Sequence, residues 1–141
     1  MIRTLDTYVA GKGSAETCED FLHVDNDFVA VVDGASDKTG TRVNGRAGGW
    51  IVASAIVECL KDRSSIPADA TFERWVTTTT DFIDSHLKTT GWPSDVQRPA
   101  ASAIVYSRHR GEMWRVGDCH FRVDGVDHMG GKEFDDMVGE I

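Results

Sequence analysis

A chain of 141 residues, 40% hydrophobic and 27% charged, supports one domain with a real core and is too short for two complete ones. Fifteen Lys and Arg against 23 Asp and Glu leave a net charge of −8, which repels phosphate backbones and anionic lipid and argues against nucleic-acid and membrane partners. No apolar run approaches the ~18 residues of a membrane span, no basic-then-apolar leader opens the sequence, and Cys18, Cys59 and Cys119 make neither a disulfide framework nor a CxxC zinc element, so a cytoplasmic domain is expected.

Three strands are predicted first, at Thr4 to Val9, Asp20 to Val24 and Phe28 to Val32. The run Phe-Val-Ala-Val-Val is short, β-branched and continuous, as in a strand covered on both faces. Asp25-Asn26-Asp27 is a tight polar turn, so the second and third strands form a hairpin. A polar, glycine-bearing loop runs from Gly34 to Gly45. The first helix is expected from Arg46 to Lys61, apolar almost all round. The second is expected from Ala70 to Lys88, where Phe72, Trp75, Val76, Phe82, Ile83 and Leu87 keep a 3.6-residue period. Strand pattern returns at Ala103 to Ser107, Met113 to Val116 and His120 to Val123. A last helix is expected from Lys132 to Ile141. Strands, two helices, then strands imply an α+β fold with helices on a largely antiparallel sheet.

The acids fall at strand ends. Glu19 and Asp20 open one strand, and Asp33 and Gly34 close the next. Pairing across the 25–27 turn puts Asp20 and Asp33 at the same end of the hairpin. A buried strand that ends in an acid beside a glycine sets a carboxylate at the rim of the core, where Mg²⁺ or Mn²⁺ favours oxygen ligands. The glycine admits close backbone approach, so its carbonyl is a further candidate ligand. Asp118 is a third acid at a strand end. Each such strand-end acid taken singly also fits an ordinary turn, with the carboxylate accepting backbone hydrogen bonds.

Glu19-Asp20, then Phe28 to Val32 with Asp33-Gly34-Ala35-Ser36, then Ala101-Ser102-Ala103, then Val116-Gly117-Asp118 resemble the ordered motifs of the metal-dependent serine/threonine protein phosphatases (2C-type, PPM) in their bacterial form. The resemblance covers roughly residues 8–125. It implies an antiparallel β-sandwich flanked by helices, acting on phosphorylated protein substrates with two or three Mn²⁺ or Mg²⁺ ions. In its terms Asp33 matches the carboxylate bridging two ions and Gly34 the glycine whose carbonyl binds one. Glu19 matches an acid holding metal-bound water, with Asp20 orienting the cluster, and Asp118 matches an acid of a third ion. Phosphoserine and phosphothreonine monoesters are then hydrolysed by metal-activated water, with no covalent intermediate.

This chain departs from that pattern. The family's phosphate-gripping Arg is replaced by Ala15, leaving Lys12 as a point-charge substitute without Arg's bidentate geometry. A complete family domain is considerably longer and supplies two further aspartates. Asp135 and Asp136 lack the family's motif and are not assigned to the metal centre. Residues 1–141 are therefore expected to be a single phosphatase-like domain, the N-terminal portion of a longer one. The alternatives are a degenerate, non-catalytic interaction module, or a homo-oligomer completed through unpaired sheet edges.

Other chemistries fit less well. Gly34 to Gly40 lacks the GxxxxGK[ST] order of a phosphate loop, and residues 25–27 lack the glycine and closing Glu of a calcium loop. Cys18, His23, Cys119 and His120 lack zinc spacing, and an isolated Cys reads as a small buried hydrophobe. Trp50, Trp75 and Trp114 read as core, Trp92 as exposed, and Arg108-His109-Arg110 as a solvated turn.

Overall fold

The computed structural model describes residues 8–9, 18–35 and 39–128. The expected hairpin forms: β1 (Asp20–Val24) pairs antiparallel with β2 (Phe28–Gly34), and Asp20 stands opposite Asp33. Asp25 makes the turn, its Oδ1 accepting the amides of Asp27 and Phe28, each at 2.7 Å. β5 (Ala101–Ser107) pairs with the far edge of β2, and β6 (Glu112–Val116) with β5. The result is one antiparallel sheet in the order β1-β2-β5-β6.

Between hairpin and returning strands lie β3 (Arg42–Val43), β4 (Arg46–Ala47), α1 (Gly48–Lys61) and α2 (Phe72–Thr90). The first helix thus starts at Gly48, later than expected. Asn44 and Gly45 take φ of 52° and 76°, the left-handed pair of a tight hairpin turn, and this commits Arg46 and Ala47 to pairing with Val43 and Arg42. α2 is displaced by two residues from the expected span because its caps lie there. The Thr71 hydroxyl accepts the Arg74 amide at 3.1 Å, and Gly91, at φ 82°, returns its amide to the Leu87 and Lys88 carbonyls.

Alternation along β2 turns Phe28, Ala30 and Val32 inward, each at most 1% exposed, against Ile51, Val52, Ile56 and Leu60 of α1. Trp75 of α2 stacks on Trp114 of β6 at 5.6 Å, and Trp114 meets Phe28 at 5.8 Å. α1 is apolar almost all round, Glu58 and Lys61 being its exposed charges, because it lies between sheet and α2. The opposite face of the sheet carries Leu22, Val24, Val29, Val31 and Ile104, with Val31 49% exposed. Val31 thus stands open on a face that its continuous apolar run implied to be covered.

β7 (Phe121–Val123) and β8 (Val126–His128) form a separate ribbon about Asp124 and Gly125, both at positive φ. β8 was not expected, although Asp-Gly between two short runs is a hairpin signal. Trp92 is half-buried and lies against Gly48, not exposed. Arg108-His109-Arg110 form the expected turn, exposed at His109 and Arg110, and its arginines also brace it: Arg108 Nε donates to the Asp25 carbonyl at 3.1 Å, and Arg110 Nε to the Asp69 and Ala70 carbonyls at 3.0 Å.

The expected α+β class therefore holds, with antiparallel sheets and two helices. Among the described residues no helix is long and apolar enough to cross a membrane. The expected strand at Thr4 to Val9, apart from Tyr8 and Val9, lies outside the described residues. So do Lys12, Ala15 and the helix expected from Lys132 to Ile141.

Candidate active site

One rung of the sheet gathers the acids. Asp20 on β1 faces Asp33 on β2, and Asp33 in turn faces Ser102 on β5. Period-2 alternation puts all three on the face away from the helices, at one end of the sheet. The β5–β6 ladder stops at the pair Ala103–Val116, and the chain then turns at Gly117, φ 85°, bringing Asp118 beside Ser102. The Ser102 hydroxyl donates to Asp118 Oδ1 at 2.8 Å and accepts the Asp118 amide at 3.3 Å. Asp20, Asp33 and Asp118 line one cleft of about 410 Å³, together with Tyr8, Leu22, Val31 and Cys119.

Cys119 registers the density of charge there. Its thiol is pushed up to about 11, first by burial and then by the negative charges of Asp33, Asp118 and Asp20, against a smaller opposing effect of Arg115. Read from the sequence as a small buried hydrophobe, Cys119 is instead half-buried among carboxylates. Cys59 does fit that description, at 1% exposure.

Gly34 and Glu19 belong to the other side of the same strand ends. Gly34 follows Asp33, so it faces the helices, and its amide donates to the Glu19 carbonyl at 3.0 Å. A Cβ on Gly34 would stand 2.5 Å from the Gly49 carbonyl oxygen and 2.9 Å from that of Glu19, so only glycine fits. The Glu19 carboxyl lies against Gly49 in the first turn of α1, where a helix N-terminus favours negative charge. The structure thus brings Asp20, Asp33 and Asp118 into one cleft, and sets Glu19 and Gly34 beneath it at the junction with α1.

These donors suit a hard divalent cation: three carboxylates on one cleft and a backbone carbonyl at the adjacent position. Among the described residues no group of three His, Cys, Asp or Glu side chains closes around a single point. Mg²⁺ requires no such cage, since one or two carboxylates with water and substrate oxygens complete its shell.

Two further acids sit at the opposite end of the hairpin. Arg63, in the connection after α1, donates from Nη2 to Asp25 Oδ2 at 2.5 Å and from Nε to Asp27 Oδ2 at 2.7 Å. His23 Nε2 lies 2.6 Å from Asp25 Oδ2. Burial pushes the Asp25 carboxyl up, but the Phe28 amide, His23, the Asp27 amide and the Arg63 charge outweigh it and hold it below the usual range. This cluster locks the hairpin tip onto the helical layer.

No protein-family model and no curated protein sequence matches the chain. In three dimensions it is similar to the PPM Ser-Thr phosphatase MsPP from Mycobacterium smegmatis, solved in complex with cacodylate, with a TM-score of 0.51 and 17% identity. The match covers 89% of this chain and 53% of that one, so the chain spans about half the length of the phosphatase it resembles. At that identity the likeness establishes the fold: a mixed α+β architecture of the PPM phosphatase kind.

Proposed function

We propose that the chain carries part of the active site of a metal-dependent phosphoprotein phosphatase, which hydrolyses phosphoserine and phosphothreonine monoesters. The observation that carries this reading is the rung Asp20–Asp33–Ser102 with Asp118 bonded to its end, at the rim of a cleft in a phosphatase-like fold. Three carboxylates in one cleft repel a phosphate dianion, so phosphate chemistry there demands cations to offset them. Asp33 and the Gly34 carbonyl are the residues that would hold Mn²⁺ or Mg²⁺ first, with Asp118 serving a further ion. Bound there, such a cation supplies an acidified water and neutralises charge on the phosphoryl oxygens. Asp20 orients the cluster from the neighbouring strand, and Glu19 accepts hydrogen bonds from water at the α1 end. Lys12 supplies the point charge for substrate phosphate in place of the absent arginine.

The test is calorimetric titration with MnCl₂, beside Mn²⁺-dependent hydrolysis of para-nitrophenyl phosphate, for the wild-type protein and Asp33→Asn. Saturable Mn²⁺ binding and any metal-dependent turnover are expected in the wild type and are expected to fall about 100-fold or more in the variant. Wild-type protein that binds no Mn²⁺, or a variant that binds it equally well, would sink the reading.

A further inference from the structure

We infer that Ser102 is a positioning residue that fixes the Asp118 carboxylate at the end of the acidic rung, an inference that rests on the phosphatase reading for its functional consequence. One hydroxyl bonds both ends of the same residue, donating to Asp118 Oδ1 at 2.8 Å and accepting from the Asp118 amide at 3.3 Å. A side chain clamped at amide and carboxylate has little freedom left in χ1, so the free oxygen of Asp118 is held in one direction.

The fold explains why a side chain is needed there. The backbone ladder between β5 and β6 ends at Ala103–Val116, one residue short of Ser102. Beyond it Gly117 turns at φ 85°, and a Cβ on Gly117 would overlap the Ser102 hydroxyl. The Ser102 side chain takes the place of the next backbone rung, and Gly117 makes room for it. Since Ser102 is also the register partner of Asp33, the hydroxyl ties Asp118 to the same rung as Asp20 and Asp33. Without that bond, the mutual repulsion of three carboxylates would swing the exposed Asp118 away into solvent.

Ser102→Ala removes one oxygen, Ser102→Thr keeps the hydroxyl, and melting curves confirm that each is folded. In metal-free protein, three-bond Hα–Hβ couplings report the Asp118 rotamer; in MnCl₂ titrations, calorimetry reports affinity. Ser102→Ala is expected to average the Asp118 couplings and weaken Mn²⁺ binding about tenfold, with Ser102→Thr restoring both. In an Asp118→Ala background the same substitution should change nothing further, because Ser102 acts through Asp118. Unaveraged couplings in Ser102→Ala, or an equal loss of affinity in the Asp118→Ala background, would overturn the inference. Should the wild type bind no Mn²⁺, the phosphatase reading fails separately, and the metal-free couplings alone decide for or against the Ser102 clamp.

Discussion

The two ends of the β1–β2 hairpin hold the same kind of residue and treat it in opposite ways. At the turn end Asp25 and Asp27 are paired with Arg63, with His23 on Asp25 and Arg108 on its carbonyl. At the open end Asp20 faces Asp33 across the register, with Asp118 drawn in by Ser102. Like charges directly opposite on neighbouring strands destabilise a sheet, and opposite charges in a half-buried network stabilise it. One end is built for stability. The other gathers negative charge, the arrangement that the proposed cation site requires.

Breaking the turn end should have the largest effect. Asp25→Ala removes two amide caps and leaves Arg63 and His23 without their shared carboxylate, so a loss of about 3 kcal/mol is expected in urea unfolding. The pH dependence follows from the lowered Asp25 carboxyl. A folded-state value below the unfolded one stabilises the protein at neutral pH, and that contribution fades as pH drops through the ordinary carboxylate range, where the unfolded chain binds the proton first. The gap between wild type and Asp25→Ala should therefore narrow steadily in acid. A gap independent of pH would show the cluster to be an arrangement of caps without ionic character.

The hairpin itself was legible because every signal agreed: a continuous β-branched run, a three-residue polar turn and acids at both strand ends. The shared position of Asp20 and Asp33 follows from the turn alone, since pairing across residues 25–27 fixes the register. The partners of these acids were not legible. Arg63 stands 38 residues from Asp25, and Ser102 stands 16 from Asp118, so only the packed fold brings them together. Ala101-Ser102-Ala103 was visible as a motif, but nothing in its spacing identifies Ser102 as the residue that holds an acid. β3 and β4, two residues each, are too short for any period, and they moved the start of α1 from Arg46 to Gly48. Glu19 and Asp20 are neighbours in sequence, yet strand alternation separates their side chains onto the two sides of the sheet.

The open end should respond with the opposite sign and a smaller size. Asp20→Asn removes one charge of the facing pair while keeping its shape, and is expected to stabilise the metal-free protein by about 0.5 kcal/mol. The same substitution weakens Mn²⁺ binding if the acids collect cations, so the two effects must move in opposite directions in one variant. A destabilised Asp20→Asn would place that carboxylate in a structural network and dissolve the contrast between the two ends.

The smallest effect is a rate. Cys119 carries a thiol pushed up to about 11 by burial and by Asp33, Asp118 and Asp20. Only the thiolate reacts with iodoacetamide, so alkylation of Cys119 in metal-free protein should be slow at neutral pH and should accelerate steadily as pH rises. Because part of the shift is the field of three carboxylates, Asp20→Asn should bring the titration of Cys119 down and speed its alkylation at a fixed pH, without altering its burial. Peptide mapping by mass spectrometry after timed alkylation separates Cys119 from Cys18 and Cys59. If burial alone set the thiol, Asp20→Asn would leave the rate unchanged. A faster reaction would show that the negative charge of Asp20 reaches the Cys119 thiol in the folded protein, the field that makes this end of the hairpin attractive to a cation.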